Sequence, residues 1–152
     1  MSMNEWTVSG FGIDASDLDV SVDKKISFIK KYLPAKYEEM MSEGEDNCDM
    51  GNTSEYMDFC NEWISDYEDE LGCNGFGTLF AEAIQENEDG FDVEYYMGED
   101  EEAVMYVDRM PWEMSDRVKK MTFEDMEAVF RKYLNELDIK TNFDRQTVHY
   151  LG

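Results

Sequence analysis

The chain has 152 residues, 42% of them hydrophobic and 14% aromatic, with 37 acidic against 13 basic side chains and a formal net charge of -24. That length and apolar content suit one folded domain over residues 1–152 and argue against an acidic disordered tail. The charge argues against nucleic acid and anionic membrane as direct partners and favours cationic ones. No apolar stretch reaches transmembrane length, and the start lacks the basic region and apolar run of a secretory leader, so a soluble cytoplasmic protein is expected.

Glu5 to Ile13 reads as a first strand, with Trp6, Val8 and Phe11 as inward candidates. Its Gly10 and Gly12 lack the third glycine and the following helix of a dinucleotide fingerprint, so a bulge or close backbone packing is the better reading. After an acidic turn, Ser21 is placed to cap a helix over Val22 to Leu33, with Ile26, Ile29 and Leu33 on one face. Pro34 stops it, and Ala35 to Met41 begins a second, short helix.

Ser42 to Asn52 reads as an acidic loop. Glu45, Asn47 and Asp49 alternate as calcium ligands do, but the obligatory glycine position is Met50 and the final glutamate position is Tyr56. A solvated loop is therefore expected, without a metal. Thr53 or Ser54 then caps a helix running to about Leu71 and ended by Gly72. Tyr56, Phe59, Cys60, Trp63, Ile64, Tyr67 and Leu71 recur at three and four on its apolar face. Glu55, Asp58, Glu62, Asp66 and Asp69 lie opposite. A further helix covers Gly77 to Glu86.

Phe91 to Met97 and Ala103 to Val107 alternate as the strands of a hairpin whose tip carries Glu99, Asp100, Glu101 and Glu102. Pro111 opens a short helix from Trp112 to Val118. Thr122 caps a longer one, Phe123 to Leu137, with Met126, Val129, Phe130, Tyr133, Leu134 and Leu137 inward. Its acids come first and its bases later, the order a helix dipole favours. Gln146 to Leu151 is a last strand carrying the lone His149. The fold class is α+β: a small, mostly antiparallel sheet of about four strands with four to six helices packed on it.

Cys48, Cys60 and Cys73 are odd in number and form no CxxC pair, so neither a disulfide framework nor a zinc site is expected. There is no Ser-His-Asp order, no phosphate-binding glycine loop and no HExxH. The sequence nominates no catalytic residue, no metal ligand and no cofactor, and an enzyme is not expected.

The charge is segregated. Tyr37 to Asp108 holds 24 acids and no lysine or arginine, whereas the flanks are neutral. A halophilic protein would be acidic and lysine-poor throughout; here the lysines fill the flanks. Solubility alone asks for a net charge of magnitude about 2–8. Crowding acids on one helix face costs some ~0.2–0.5 kcal/mol per like-charged pair.

From Leu79 to Leu137 the chain resembles short acidic proteins encoded by phages and prophages, a group without assigned activity. The resemblance rests on LFAEAI, on VEYYMGEDEEAVMYV, on MPWEMS and on the helix ending VFRKYLNEL. It transfers no site residue and implies a mobile-element context in a host cell, where small acidic proteins block defence. Antirestriction and anti-CRISPR nucleic-acid mimics are similar in charge only.

The expected function is thus that of an acidic inhibitor occupying the basic nucleic-acid-binding groove of a defence nuclease. Duplex DNA presents one charge per ~1.7 Å of axis. A single helix with acids every three or four residues presents one per roughly 5 Å, so several acidic elements must act side by side. Asp58, Glu62, Asp66 and Asp69 on one helix face and Glu99, Asp100, Glu101 and Glu102 at the hairpin tip are the candidate partner-binding residues, with Tyr96 as an aromatic anchor. Three alternatives share the composition: an immunity protein against a cationic nuclease toxin, a calcium-binding acidic protein, and a domain whose charge serves only solubility.

Overall fold

A computed structural model describes residues 5–67 and 75–151. It is α+β. Strand β1 (Glu5–Asp14) is followed by a 3-10 turn (Ala15–Leu18) and four helices: α1 (Val22–Tyr32), α2 (Pro34–Asn47), α3 (Thr53–Ser65) and α4 (Phe76–Asn87). The hairpin β2 (Glu94–Met97) and β3 (Glu102–Val107) comes next. After it come a second 3-10 turn (Pro111–Glu113), α5 (Asp116–Lys119), α6 (Phe123–Glu136) and β4 (Asp144–Leu151). The strands form one antiparallel sheet in the order β2-β3-β1-β4.

One face of the sheet carries Ile13, Tyr95, Val104 and Tyr106, which join the main core beneath the helices. α4 packs on β2, β3 and α1, and α6 packs on β1. α2 and α3 pack on each other and on α1, forming a layer beyond α1 and α4 as seen from the sheet. Phe80, Ile84, Phe91, Phe130, Tyr133 and Leu134 are fully buried at the centre. The expected inward set of the last helix is all there, with Val129 partly exposed.

The other sheet face bears a small core drawn from strands alone: Ala103, Met105 and Val148, flanked by Val8, Tyr96, Val107 and Tyr150. Strand alternation splits the expected inward residues of β1. Phe11 faces the helices, while Val8 belongs to this second cluster and Trp6, 49% exposed, stacks on Tyr150 at 5.5 Å. Ala103, Met105 and Val148 are buried because the sheet curls over them. The Glu99 backbone N–H donates to the His149 carbonyl at 2.9 Å, so the hairpin tip reaches β4, two strands away. Gly10 and Gly12 lie at the crease: a Cβ on either would sit 2.1 Å from the Tyr106 oxygen or 2.0 Å from the Val104 oxygen. The close-packing reading of this glycine pair is correct, and its use is to let the sheet fold on itself.

Several element boundaries differ from expectation. Ser42 to Asn47 is helical: α2 runs on from Pro34 at its first turn to Asn47, whose side chain donates to the Glu43 carbonyl at 2.7 Å. Met40 and Gly44 are buried on its inner face, and Met50 and Phe59 lie against Gly44. Burial of that stripe extends the helix past where acidic composition suggested a loop. Helical Glu45 and Asn47 also lose the alternation on which a calcium loop depends.

Asn52, rather than Thr53 or Ser54, caps α3 by accepting from the Glu55 N–H at 3.2 Å. α3 ends at Ser65; Asp69, Leu71, Gly72 and Cys73 lie outside the described residues. β2 begins at Glu94, with Phe91 and Val93 buried ahead of it. The short helix expected over Trp112 to Val118 is broken in two, because Ser115 is extended and caps α5 by accepting from Val118 N–H at 3.1 Å.

Candidate acidic interface

α2 and α3 lie side by side because each has an apolar stripe to bury. Cys60 and Ile64 of α3 are inaccessible, and Tyr56, Phe59 and Trp63 are partly covered. The solvent side of this helix pair carries ten exposed carboxylates: Glu38, Glu39, Glu43, Glu45 and Asp46 on α2, Asp49 in the turn, Glu55, Asp58 and Glu62 on α3, and Asp66 at its end. Lys36 is the sole base between Pro34 and Asp66. Of the ten, Glu39 alone has a cationic partner among the described residues, Lys36 at 3.9 Å. Elsewhere the bases are used locally: Lys24 on Asp138, Lys31 on Glu136, Arg131 on Glu127 and Arg145 on Asp108.

Asp58, Glu62 and Asp66 follow one another at four-residue spacing and form a single stripe, as expected. Between the helices runs a cleft of about 600 Å³ lined by Lys36, Glu39, Asn47, Phe59, Glu62, Trp63, Asp66 and Tyr67. Trp63 donates its indole N–H to Glu43, and the Tyr67 hydroxyl donates to both Glu82 oxygens at 2.7 and 2.9 Å. Burial and the Glu82 carboxylate push the Tyr67 hydroxyl well above the usual phenol range, so it stays neutral. Trp63 and Tyr67, expected in the core, are packed against it but also line this cleft.

The hairpin tip is a different surface. Glu99 and Asp100 are exposed, but Glu101 and Glu102 are partly covered and engaged. Glu101 accepts from the His149 backbone N–H at 3.2 Å and meets its ring Nδ1 at 2.6 Å. That backbone hydrogen bond, ahead of the ring contact, holds the Glu101 carboxyl below its ordinary range. Glu102, the first residue of β3, accepts from the Tyr95 hydroxyl. These residues line a second cleft with Asp14, Ser16, Gln146 and Thr147, and it shares no residue with the α2–α3 cleft. Tyr96 is partly buried in the strand cluster and donates to Glu94 at 2.7 Å, so it is no free anchor.

The expected acidic elements therefore do not gather on one face. α4 is largely internal, with seven buried residues, and the tip belongs to the sheet. What gathers is α2 with α3, including the α2 acids that sequence reasoning assigned to a loop. The signal that could have found them is the apolar Tyr37, Met40, Met41 and Gly44 series at three and four, continuing Pro34 as a helix start. Comparison of this chain with family models, with curated proteins and with solved structures finds no match.

Proposed function

We propose that the chain is an acidic inhibitor whose α2–α3 face occupies the basic nucleic-acid-binding surface of another protein, a defence nuclease by the reasoning from charge and context above. The observation that carries this reading is charge density. α2 has 14 residues, about 21 Å at ~1.5 Å per residue. The pair carries ten exposed carboxylates; averaged over that length they come to roughly one per 2 Å, against one per ~1.7 Å for duplex DNA. Two helices side by side reach the density that one could not.

The carboxylates are also presented on a packed scaffold, which orders them before the encounter and lowers the cost of binding. Long-range attraction would speed association with a cationic groove, and like charge would repel nucleic acid and anionic membrane from the same face. Nothing in this reading asks for a catalytic residue, a metal or a cofactor.

The test is capture of a nucleic-acid-binding protein from host lysate on the immobilised chain, at low and at high salt, with duplex DNA as competitor. Capture at low salt, release by DNA and loss at high salt are expected. The triple change Glu38→Lys, Glu45→Lys and Asp58→Lys, all outside the cleft, should abolish capture while circular dichroism is unchanged. Equal capture by the triple variant removes this face from the interface.

A further inference from the structure

We propose that the cleft between α2 and α3 is a guanidinium site, which receives an arginine side chain of the basic partner protein and from which that arginine displaces Lys36. The inference rests on the acidic-face reading above and identifies the contact that would anchor it.

Three observations combine. The first is shape: a cleft of about 600 Å³ lies within the range of roughly 300–1,000 Å³ of pockets that hold small groups. The second is its walls. The rings of Trp63 and Tyr67 stand 5.6 Å apart at 55° to each other, and Phe59 lies beside them. Their polar atoms are already engaged, the indole by Glu43 and the phenol by Glu82. What each ring has left to offer is a negative π face.

The third observation is a cation already at the site. The Lys36 ammonium sits 5.3 Å from the centre of the Tyr67 ring; among the described residues its carboxylate contact is a long one, 3.9 Å to Glu39. The chain thus places an ammonium group of its own where an external cation would bind. Glu62 and Asp66 line the same cleft, both exposed and separated by one helical turn.

Arginine fits this set better than lysine. Its guanidinium is planar, so it can lie on an aromatic face while its edge donates two parallel hydrogen bonds to a carboxylate. A lysine ammonium is a compact, strongly hydrated charge that cannot do both. Arginine is also abundant in the phosphate-binding surfaces that the acidic face would cover.

The experiment titrates the full chain with a short oligo-arginine peptide and with oligo-lysine of equal charge, following the indole N–H resonance of Trp63 by NMR. Saturable movement of that resonance is expected, with tighter binding of oligo-arginine than of oligo-lysine. Trp63→Leu changes no charge and should weaken oligo-arginine binding about two- to fivefold, while Trp112→Leu, remote and 78% exposed, should leave it unchanged. Lys36→Met should tighten oligo-arginine binding more than Lys30→Met, which removes the same charge outside the cleft.

An unmoved Trp63 resonance in the unmodified chain, with peptide still bound, overturns the guanidinium site even if Trp63→Leu fails to fold. Tighter binding of spermidine than of oligo-arginine overturns the assignment to a protein side chain. A nuclease captured equally well by Trp63→Leu and by the unmodified chain also overturns the site but leaves the acidic face standing. Trp63-dependent arginine binding with no DNA-releasable capture supports the site and removes the inhibitor reading.

Discussion

Among the described residues, Glu88 is the carboxylate of the acidic window that the fold has taken inside. It is 8% exposed, accepts from the Tyr133 hydroxyl at 2.6 Å and from Arg117 at 2.8 Å, and lies 3.3 Å from Lys132. Burial alone would raise its affinity for a proton, but the bonds from Tyr133, Arg117 and Lys132 together outweigh that, and the carboxyl titrates below its ordinary value. A folded-state value below the unfolded one stabilises the protein above the ordinary carboxylate range and ceases to do so as pH falls through the lowered value. Glu88→Gln leaves Arg117 and Lys132 facing a neutral group. Both cations are more than a third exposed, so the loss should be about 1–3 kcal/mol, below the ~3–5 of a fully buried pair. Urea denaturation at neutral and at acid pH checks this: the difference between the unmodified chain and the Glu88→Gln variant should shrink as pH drops. A second residue-scale prediction concerns the sheet crease. Gly12→Ala brings a methyl onto the Val104 carbonyl, and the shift needed should cost at least the upper end of the ~1–3 kcal/mol typical of overpacking, read as a lowered denaturation midpoint.

At the scale of elements, α3 shows what its charge costs. Glu62 has Asp58 four residues before it and Asp66 four after, and like charges at that spacing disfavour a helix by some ~0.2–0.5 kcal/mol per pair. Glu62→Gln should therefore raise the stability of the free protein by about that amount for each pair relieved, measured by denaturant unfolding, while weakening binding to the captured partner. The opposite signs are the signature of a charge kept for an interface; a change that weakens binding and also destabilises the fold would mark Glu62 as structural. The hairpin tip behaves differently. Glu101 covers the β4 backbone at His149, closing the curled sheet at its open side. Glu101→Ala should speed hydrogen exchange at the His149 amide with little change in global unfolding and no loss of capture. Because Glu101 titrates below its ordinary value, that protection should be present at neutral pH and fall away as pH drops through the lowered value.

For the whole molecule, the net charge of -24 makes the folded state self-repelling, and ten of the exposed carboxylates sit on one two-helix layer. The Debye length falls from about 30 Å at 0.01 M to about 3 Å at 1 M salt. The free chain should therefore become more stable as sodium chloride rises over that range, seen as an increasing thermal midpoint, while its complex with a basic partner becomes weaker. An ordinary acidic domain shares the first behaviour; only a charge-matched complex shows the second. Stability independent of salt would mean that the carboxylates are already neutralised in solution.

Periodicity was enough to place α1, α3, α4, α6 and the hairpin, because an amphipathic face repeats locally and each helix buries its own stripe. It was enough as well for the caps at Ser21 and Thr122, where hydroxyls accept from Lys24 N–H and Asp125 N–H, since capping is settled within three residues. The acidic window was visible in composition alone. Composition misled over Ser42 to Asn47: a run without one apolar side chain reads as loop, but Gly44 of α2 meets Phe59 of α3, and that contact is not local. The same holds for Val8 against Phe11: strand alternation assigns them to opposite faces, but only the curl of the sheet makes a second core around Val8. Whether the carboxylates gather on one surface was likewise decided in three dimensions, by which apolar stripes pack together. Packing joined α2 to α3 and carried the hairpin tip to β4, so the acidic surface is a helix pair with an aromatic cleft, and the tip is a clasp on the sheet.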